Sequence, residues 1–364
     1  MSKLHERKGM IASDGPNFNT GYGKLGRVLT NGLIANGYDV SYVSFQHQGN
    51  PLYYIFMNQK VKVYSGLTQQ LIEGAVREFK PDVLIHIRDP VVHTEYYKYP
   101  YQFDRIRKST KTIGYLMVMH DYFDSKVMKA IVVNYDIVAT PTEWGRRVLV
   151  SSGMPINLVY TVKPWIPRPV KPEKVQGLPD KYLLFIGVND DKRKNHALLL
   201  HVLSRLPEEY KLVLLSSSGA YILESIIERY ALYNRVYTPQ SYLKGYGLTE
   251  EELAYIYLNA HVYVTLSSLE GIDMPALEAL TYNTPVVASE IPVHKELLSP
   301  YAKFVKVNLG YPDTSGVYWI PDVDDAVEKI MSIGETRHKY GRKVYSTYNV
   351  NRAIGDFRQL FNLA

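Results

Sequence analysis

The feature that most constrains this chain is a rhythm, in which short apolar runs alternate with segments of helical periodicity almost from end to end. In the first half, KGMIAS, YDVSYVSF, DVLIHI, TIGYLMVM and YDIVAT are rich in Val, Ile and Tyr and bounded by turn residues, as strands are. Between them, GKLGRVLTNGLIANG, LTQQLIEGAVREF and TEWGRRVLVSSG place apolar residues at helical spacing, and the first and last end at glycine. Strand–helix–strand repetition builds a parallel sheet covered by helices on both faces, which puts the chain in the α/β class.

Residues 163–179, KPWIPRPVKPEKVQGLP, break the rhythm, because their prolines remove backbone donors and favour extended geometry. Afterwards the alternation restarts with KYLLFIGV, HALLLHVLSRL, YKLVLLSS, ILESIIERYAL, RVYTP, TEEELAYIYLNA, HVYVTLS, PALEALTY and TPVVAS. A chain of 364 residues also exceeds one ordinary hydrophobic core. The expected organisation is a first doubly wound domain over 1–165, a linker over 166–179 and a second such domain over 180–336. A helical segment over 337–364 is expected to pack back on the first domain. Ligands of such sheets bind in a crevice beyond the carboxyl ends of the strands.

The chain has no cysteine, which excludes a disulfide framework, thiolate metal sites and a cysteine nucleophile. Forty-two Lys and Arg against 36 Asp and Glu leave a formal charge of +6, which suits phosphate-bearing ligands but is too diffuse to demand nucleic acid. After the polar start MSKLHERKG no apolar run approaches membrane-spanning length, so a cytoplasmic protein is expected, with contact at the inner face of a membrane left open.

Residues 267–289, SSLEGIDMPALEALTYNTPVVAS, are the most informative stretch. They follow the apolar run HVYVTLS, so their loop lies at a strand's carboxyl end. Pro275 suits the first turn of the next helix, where its missing N–H is not needed. That helix start offers free N–H groups and a partial positive charge, a seat for a phosphate. A phosphate there would leave Glu278, one turn inside the helix, near an attached ribose, with Glu270 reaching the sugar from the other side. Two glutamates by themselves are ordinarily a solvated helix face.

The whole string, however, resembles the signature of the family-four retaining glycosyltransferases. Their fold is the GT-B arrangement, two Rossmann-like domains facing each other across a cleft. The pattern there reads roughly SxxEGFGLPxLEAxAxGxPVVAS. Glu270 and Glu278 keep its spacing, and Gly271, Pro275, Ala279, Pro285 and Val286 match. The resemblance implies that Glu278 holds the donor ribose, that Glu270 contacts the transferred sugar, and that Gly271, Ile272, Asp273 and Met274 line the donor. Two departures stand out: Ile272-Asp273 replaces Phe-Gly, and Asn283 replaces the later Gly. Asn tolerates a positive φ. A carboxylate at Asp273 would repel a diphosphate unless it turned toward sugar hydroxyls, which points to an altered donor-sugar preference.

Other segments follow in the family's order. In IASDGPNFNTGYGKLGRVL, Gly21, Tyr22 and Gly23 open the first helix and correspond to the glycine-rich loop that faces donor phosphate and acceptor. In VNDDKRKNHALLL, Arg193-Lys194-Asn195 resembles the family's RKN variant, with basic groups for the diphosphate. The arginine many members place earlier in this loop falls near Val188 or Asn189 and is absent. His120-Asp121 ends the run TIGYLMVM, and His120 resembles the family's histidine near the reacting centre. Arg88-Asp89, after DVLIHI, suits either the acceptor side or an internal salt bridge. Glu143 and Trp144 resemble a family segment that either faces the acceptor or packs.

The resemblance thus implies transfer of a hexose-type sugar from a nucleoside-diphosphate sugar, most naturally a UDP- or GDP-sugar, to an acceptor hydroxyl with retention. His120, Glu270, Arg193 and Lys194 form the catalytic set. Neither a metal nor a further cofactor is required. The acceptor, whether glycan, lipid, protein or small molecule, is not specified by the residues, and no nucleic-acid partner is expected. The alternative is a noncatalytic nucleotide-sugar-binding subunit of the same fold, for which Asp273 is the argument.

Overall fold

β-Branched and aromatic residues buried on both faces favour parallel strands over half-exposed ones, and that is how the apolar runs are used. The computed structural model describes residues 7–94, 102–188, 191–217, 220–239, 242, 247–313, 316–335, 337 and 339–363. The chain divides into two compact units, Met1–Pro167 with Tyr348–Ala364, and Arg168–Thr347.

The strands of the first unit are β1 (Lys8–Ser13), β2 (Asp39–Ser44), β3 (Leu52–Phe56), β4 (Gln59–Ser65), β5 (Val83–Arg88), β6 (Lys111–Leu116), β7 (Ile137–Thr140) and β8 (Val159–Thr161). They form one sheet in the order β3-β4-β2-β1-β5-β6-β7-β8. All pairings are parallel except the hairpin β3–β4. Helices Gly21–Ala35, Gln69–Phe79, Ser125–Asn134 and Glu143–Ser151 start behind Thr20, Thr68, Asp124 and Thr142. Each of these four side chains accepts a first-turn backbone N–H. Met10, Val43, Leu84, Leu116 and Val138 belong to one buried cluster in this unit. The strand order reverses at β1: β2 lies on one side and β5 on the other. The crevice at the carboxyl ends of β1 and β5 is therefore the topological switch point.

The carboxyl-terminal helix Val350–Leu363 completes this unit. Fully buried Trp165 packs its ring 4.8 Å from Tyr115 and 5.7 Å from Phe357, and its indole N–H donates to the Leu25 carbonyl at 2.9 Å. The helix beginning at Gly341, Gly341–Thr347, belongs instead to the second unit.

In the second unit β9 (Tyr182–Val188), β10 (Lys211–Ser217), β11 (Val236–Tyr237), β12 (Val262–Thr265), β13 (Val286–Ser289) and β14 (Ala302–Val305) form a parallel sheet ordered β11-β10-β9-β12-β13-β14. An antiparallel pair, β15 (Val307–Asp313) and β16 (Gly316–Pro321), follows. Here the order reverses between β9 and β12, so the loops after those two strands flank the switch point. The proline-rich stretch runs extended along this unit: the Val170 N–H donates to the Tyr282 hydroxyl at 3.1 Å and the Glu173 N–H to the Glu251 carbonyl at 3.0 Å.

The β3–β4 hairpin, β8, β14 and the β15–β16 pair have no counterpart among the expected strands. In LYYIF both faces are largely exposed, so neither alternation nor a buried run marks it. Its turn residues Met57 and Asn58 both have positive φ, 46° and 65°, as tight hairpin turns require. No helix among the described residues is long and apolar enough to cross a membrane.

Candidate active site

In the second unit the switch point brings together two loops. The loop after β9 carries a short helical turn, Asp191–Lys194, and Asn195. Asn195 sits at φ 54°, and its side-chain amide donates to the Leu266 carbonyl at 2.7 Å and the Ser268 hydroxyl at 2.8 Å. The Ser268 N–H returns a bond to the Arg193 carbonyl at 2.7 Å. These bonds tie the basic loop to the glutamate loop before any side-chain charge is considered.

The charges then meet on Glu270. Arg193 approaches one carboxylate oxygen at 3.2 Å, and the Lys194 ammonium bonds the other. Glu270 and Lys194 are buried, at 5% and 6% exposure. An isolated buried charge is unfavourable, so each of these groups depends on the other. Breaking such a pair from one side is worth about 3–5 kcal/mol. Of the two positions near which the absent earlier arginine falls, Val188 ends β9 and Asn189 lies outside the described residues.

Behind this cluster the helix Met274–Thr281 begins. Asp273 caps it from a left-handed conformation, φ 62° and ψ 68°, accepting the Ala276 N–H at 3.4 Å, with Pro275 in the first turn. The other Asp273 oxygen accepts from the Thr265 hydroxyl at 2.8 Å and lies 3.1 Å from His294 Nε2. Burial pushes the Asp273 carboxyl up, but the Lys194 charge, the His294 contact and the Thr265 hydroxyl outweigh it and hold the group below the ordinary carboxylate range. The expected turn of Asp273 toward sugar hydroxyls is therefore replaced by an inward one. Its side chain has no exposed surface, and both oxygens are engaged within the fold.

Glu270, Asp273 and His294 bring potential metal-ligating atoms within 4.8 Å of one another. Two cations already sit on Glu270, and a ring nitrogen and a hydroxyl on Asp273. A metal ion there would face Lys194 and Arg193 at close range, so the cluster is an ion-pair network and not a metal cradle.

Glu278 lies on the next turn, buried at 5% exposure, and accepts from the Tyr257 hydroxyl at 3.1 Å. Burial first, and then the Glu278 charge, push the Tyr257 phenol well up, so it stays a donor. Tyr257 stacks on Tyr282 with 5.8 Å between centroids. Gly271, Ile272 and Met274 are buried with the loop. Asn283 takes the positive φ, 61°, that its position requires, and its side chain accepts the Gly341 N–H at 2.8 Å.

The first unit holds the remaining candidates at its own switch point. Gly21 is exposed, Tyr22 half-buried and Gly23 buried at the start of the first helix. A Cβ on Gly23 would come within 2.5 Å of the Phe18 carbonyl and 2.8 Å of the Gly15 carbonyl, whereas one on Gly21 would meet nothing. Gly23 is thus required by the loop's own backbone. Arg88 makes the internal bridge, 2.7 Å to Asp14, with its guanidinium 4.7 Å from the Phe45 ring centroid. Asp14 also accepts from Thr20 at 2.7 Å, and the Tyr22 hydroxyl donates to Asp89. His120, half-buried beside Phe123, and exposed Asp121 lie past the end of β6. Glu143 holds Thr161 and Arg146, at 2.8 and 3.0 Å, and Trp144 packs on the core, so both serve the fold of this unit.

Sequence reasoning passed over Asp14, Tyr257, Thr265 and His294. Asp14 directly follows β1 and was open to the carboxyl-end rule. The other three carry no spacing signal, since they reach the site from two neighbouring helices and a strand.

Residues 170–347 match the family described as glycosyl transferases group 1. The O-antigen chain mannosyltransferase RfbU of Salmonella typhimurium is 35% identical over 78 residues, which are 21% of this chain and 22% of that protein's length. Among solved structures, the sucrose-phosphate synthase of Thermosynechococcus elongatus superposes with a TM-score of 0.73 at 16% identity, covering 99% of this chain and 100% of that one. Anabaena HepE, solved with UDP and glucose, gives 0.68 at 12% identity over 98% and 100%. These likenesses show the GT-B fold.

Proposed function

We propose that this chain, whose second unit is a glycosyl transferases group 1 domain, moves a hexose from a nucleoside-diphosphate sugar to an acceptor hydroxyl with retention and without a metal ion. One observation carries the reading: Arg193 and Lys194 converge on buried Glu270 at the switch point, beside the start of the helix that bears Glu278. As the glycosidic bond to the diphosphate breaks, negative charge builds on the leaving oxygens. Preplaced cations and helix-start N–H groups stabilise that charge, commonly the largest catalytic term. Two fixed cations supply what a metal would.

In this reading Glu278 holds the donor ribose, Glu270 orients the transferred sugar and the two cations, and the leaving phosphate accepts the acceptor's proton. Asn195, Gly271, Ile272 and Met274 shape the donor seat. The first domain, over 1–165, provides the acceptor side, with Gly21, Tyr22, Gly23 and His120 toward the donor and Arg88 and Asp121 as weaker acceptor contacts. The second domain, over 180–336, provides the donor side. UDP- or GDP-sugars are the donors to try first; the HepE likeness supports the former. The setting proposed is cytoplasmic, with the acceptor open among glycan, lipid, protein and small molecule.

The noncatalytic alternative rests on Asp273 as a mark of lost turnover with nucleotide binding kept. Its carboxylate is fully enclosed and paired, which removes most of that argument. The test is a panel of UDP- and GDP-sugars with the purified protein, products resolved by mass and anomeric configuration by NMR, with and without chelator. Transfer or slow hydrolysis with retention, unaffected by chelator, is expected. Nucleotide binding without turnover of any donor would favour the binding subunit, and inversion or chelator-sensitive turnover would refute a retaining, metal-free transfer.

A further inference from the structure

We propose that His294 is a positioning residue for the donor site: its ring donates from both nitrogens, and the charge this gives it holds Asp273, leaving Lys194 to Glu270 and to an incoming phosphate. The inference rests on the donor-site reading above for its consequence, but not for its geometry.

His294 is fully buried on the helix Pro292–Leu298. Its Nε2 lies 3.1 Å from Asp273 Oδ2, and its Nδ1 lies 2.9 Å from the Ser289 carbonyl oxygen and 3.2 Å from the Ser289 hydroxyl. A carbonyl oxygen only accepts. The Ser289 hydroxyl spends its proton on the Ser267 carbonyl at 2.5 Å, so toward the ring it too can only accept. An ionised carboxylate likewise only accepts, and Asp273 already takes the Thr265 hydroxyl and the Ala276 N–H. A ring with acceptors at both nitrogens carries an N–H on each, and such an imidazole is positively charged.

The charge matters because of what surrounds it. Glu270, Asp273 and His294 present atoms within 4.8 Å of one another, and the Lys194 charge acts on Asp273 as well as on Glu270. Near the pair, among the described residues, are also the Thr265 and Ser267 hydroxyls, the Tyr263 and Tyr257 phenols, both of which Asp273 influences, and the Glu278 carboxylate, which acts on the same two phenols. With a neutral His294, two carboxylates would cancel Arg193 and Lys194, and Asp273 would compete for the same ammonium. With a charged His294, Asp273 is matched from behind, and the cluster presents one more positive charge to a diphosphate than it would with a neutral ring.

Two measurements decide this. The first is ¹⁵N NMR of the histidine rings under assay conditions, with the His294 signals assigned by their loss in His294→Gln. Two protonated ring nitrogens are expected at His294, and a bare nitrogen there overturns the ion pair. The second is calorimetric titration with UDP and with GDP. His294→Phe leaves Asp273 unmatched and should weaken nucleotide binding about tenfold or more, while Asp273→Gly/His294→Phe, which removes both charges and keeps a residue suited to positive φ, should recover to within about threefold of the parent. A merely structural histidine predicts instead a double variant weaker than the single one, and that result overturns the positioning role. A parent protein that binds neither nucleotide would overturn the donor-site reading and this role with it, while the ring signals would still decide the ion pair.

Discussion

Lys194 has one carboxylate in direct contact and a second within reach of its field, and this crowding makes it the most consequential single side chain in the second unit. On the proposed reading, its charge acts as the leaving group departs, whereas Glu278 grips a part of the donor that does not change during reaction. Lys194→Ala should therefore lower kcat by about ten- to a hundredfold, the loss of one charge-assisted contact of about 1.5–3 kcal/mol. Glu278→Ala should chiefly raise the donor KM. Steady-state kinetics with the donor found by the panel separates the two, and parent-like values for both variants would displace the site. Asp273 gives a second test, through acid. Because its carboxyl is held below the ordinary range, ionisation stabilises the folded chain above an unfolded value of about 3.9, and that contribution fades as pH falls below it. The stability gap between parent and Asp273→Asn, from urea unfolding at a series of pH values, should thus shrink as pH is lowered through about 4. A gap that stays constant through that range would mean the carboxyl is not held ionised. Glu270 and Glu278 were legible because strand, loop, proline and glutamate spacing occur together in one segment. His294 was not, because nothing along the chain marks which face of a short helix meets a carboxylate from another loop.

At the scale of elements, most strands and helices could be read from periodicity, since a parallel strand buried on both faces is a continuous apolar run. The β3–β4 hairpin could not, because Tyr53 and Ile55 are exposed at 62% and 65%, and a strand that buries little leaves little pattern. The first glycine loop shows a further limit. From sequence, Gly21 and Gly23 looked equivalent, two small residues at a helix start. In the fold, Gly23 lies against two carbonyl oxygens of the loop that precedes it, while Gly21 faces open space. Gly23→Ala forces backbone apart and should destabilise the first unit by about 1–3 kcal/mol, as overpacking does. Gly21→Ala adds a methyl to an unobstructed helical position and should leave stability unchanged or raise it by up to about 1 kcal/mol. Denaturant midpoints of the two variants provide the comparison. Equal midpoints would show that the loop around Phe18 yields to a side chain.

At the scale of the whole chain, the first unit is assembled from both ends of the sequence. The family match stops at residue 347, and the unit resumes at Tyr348. What draws the last helix into it is a buried aromatic set: Trp165 at the end of the first stretch, Tyr115 on β6, and Phe357 on the helix, the last two with rings 5.9 Å apart. Lys111 fastens the far end by donating to the Phe361 carbonyl at 2.6 Å. Gly32 permits the close approach, since a Cβ there would come within 2.6 Å of Ile354 and 2.7 Å of Val350. Helical periodicity announced the last helix but not the aromatic set it completes, because its partners lie far away in sequence. Phe357 is fully buried, so Phe357→Ala leaves a cavity and should cost about 3–5 kcal/mol. The loss should be local to one unit. Hydrogen exchange should quicken at the amides of β1, β5 and β6 while those of β9, β12 and β13 keep parent protection, because the two sheets have separate cores. Uniform loss of protection across both sheets would instead mean that the chain unfolds as one cooperative body, with the carboxyl-terminal helix holding the second unit as firmly as the first.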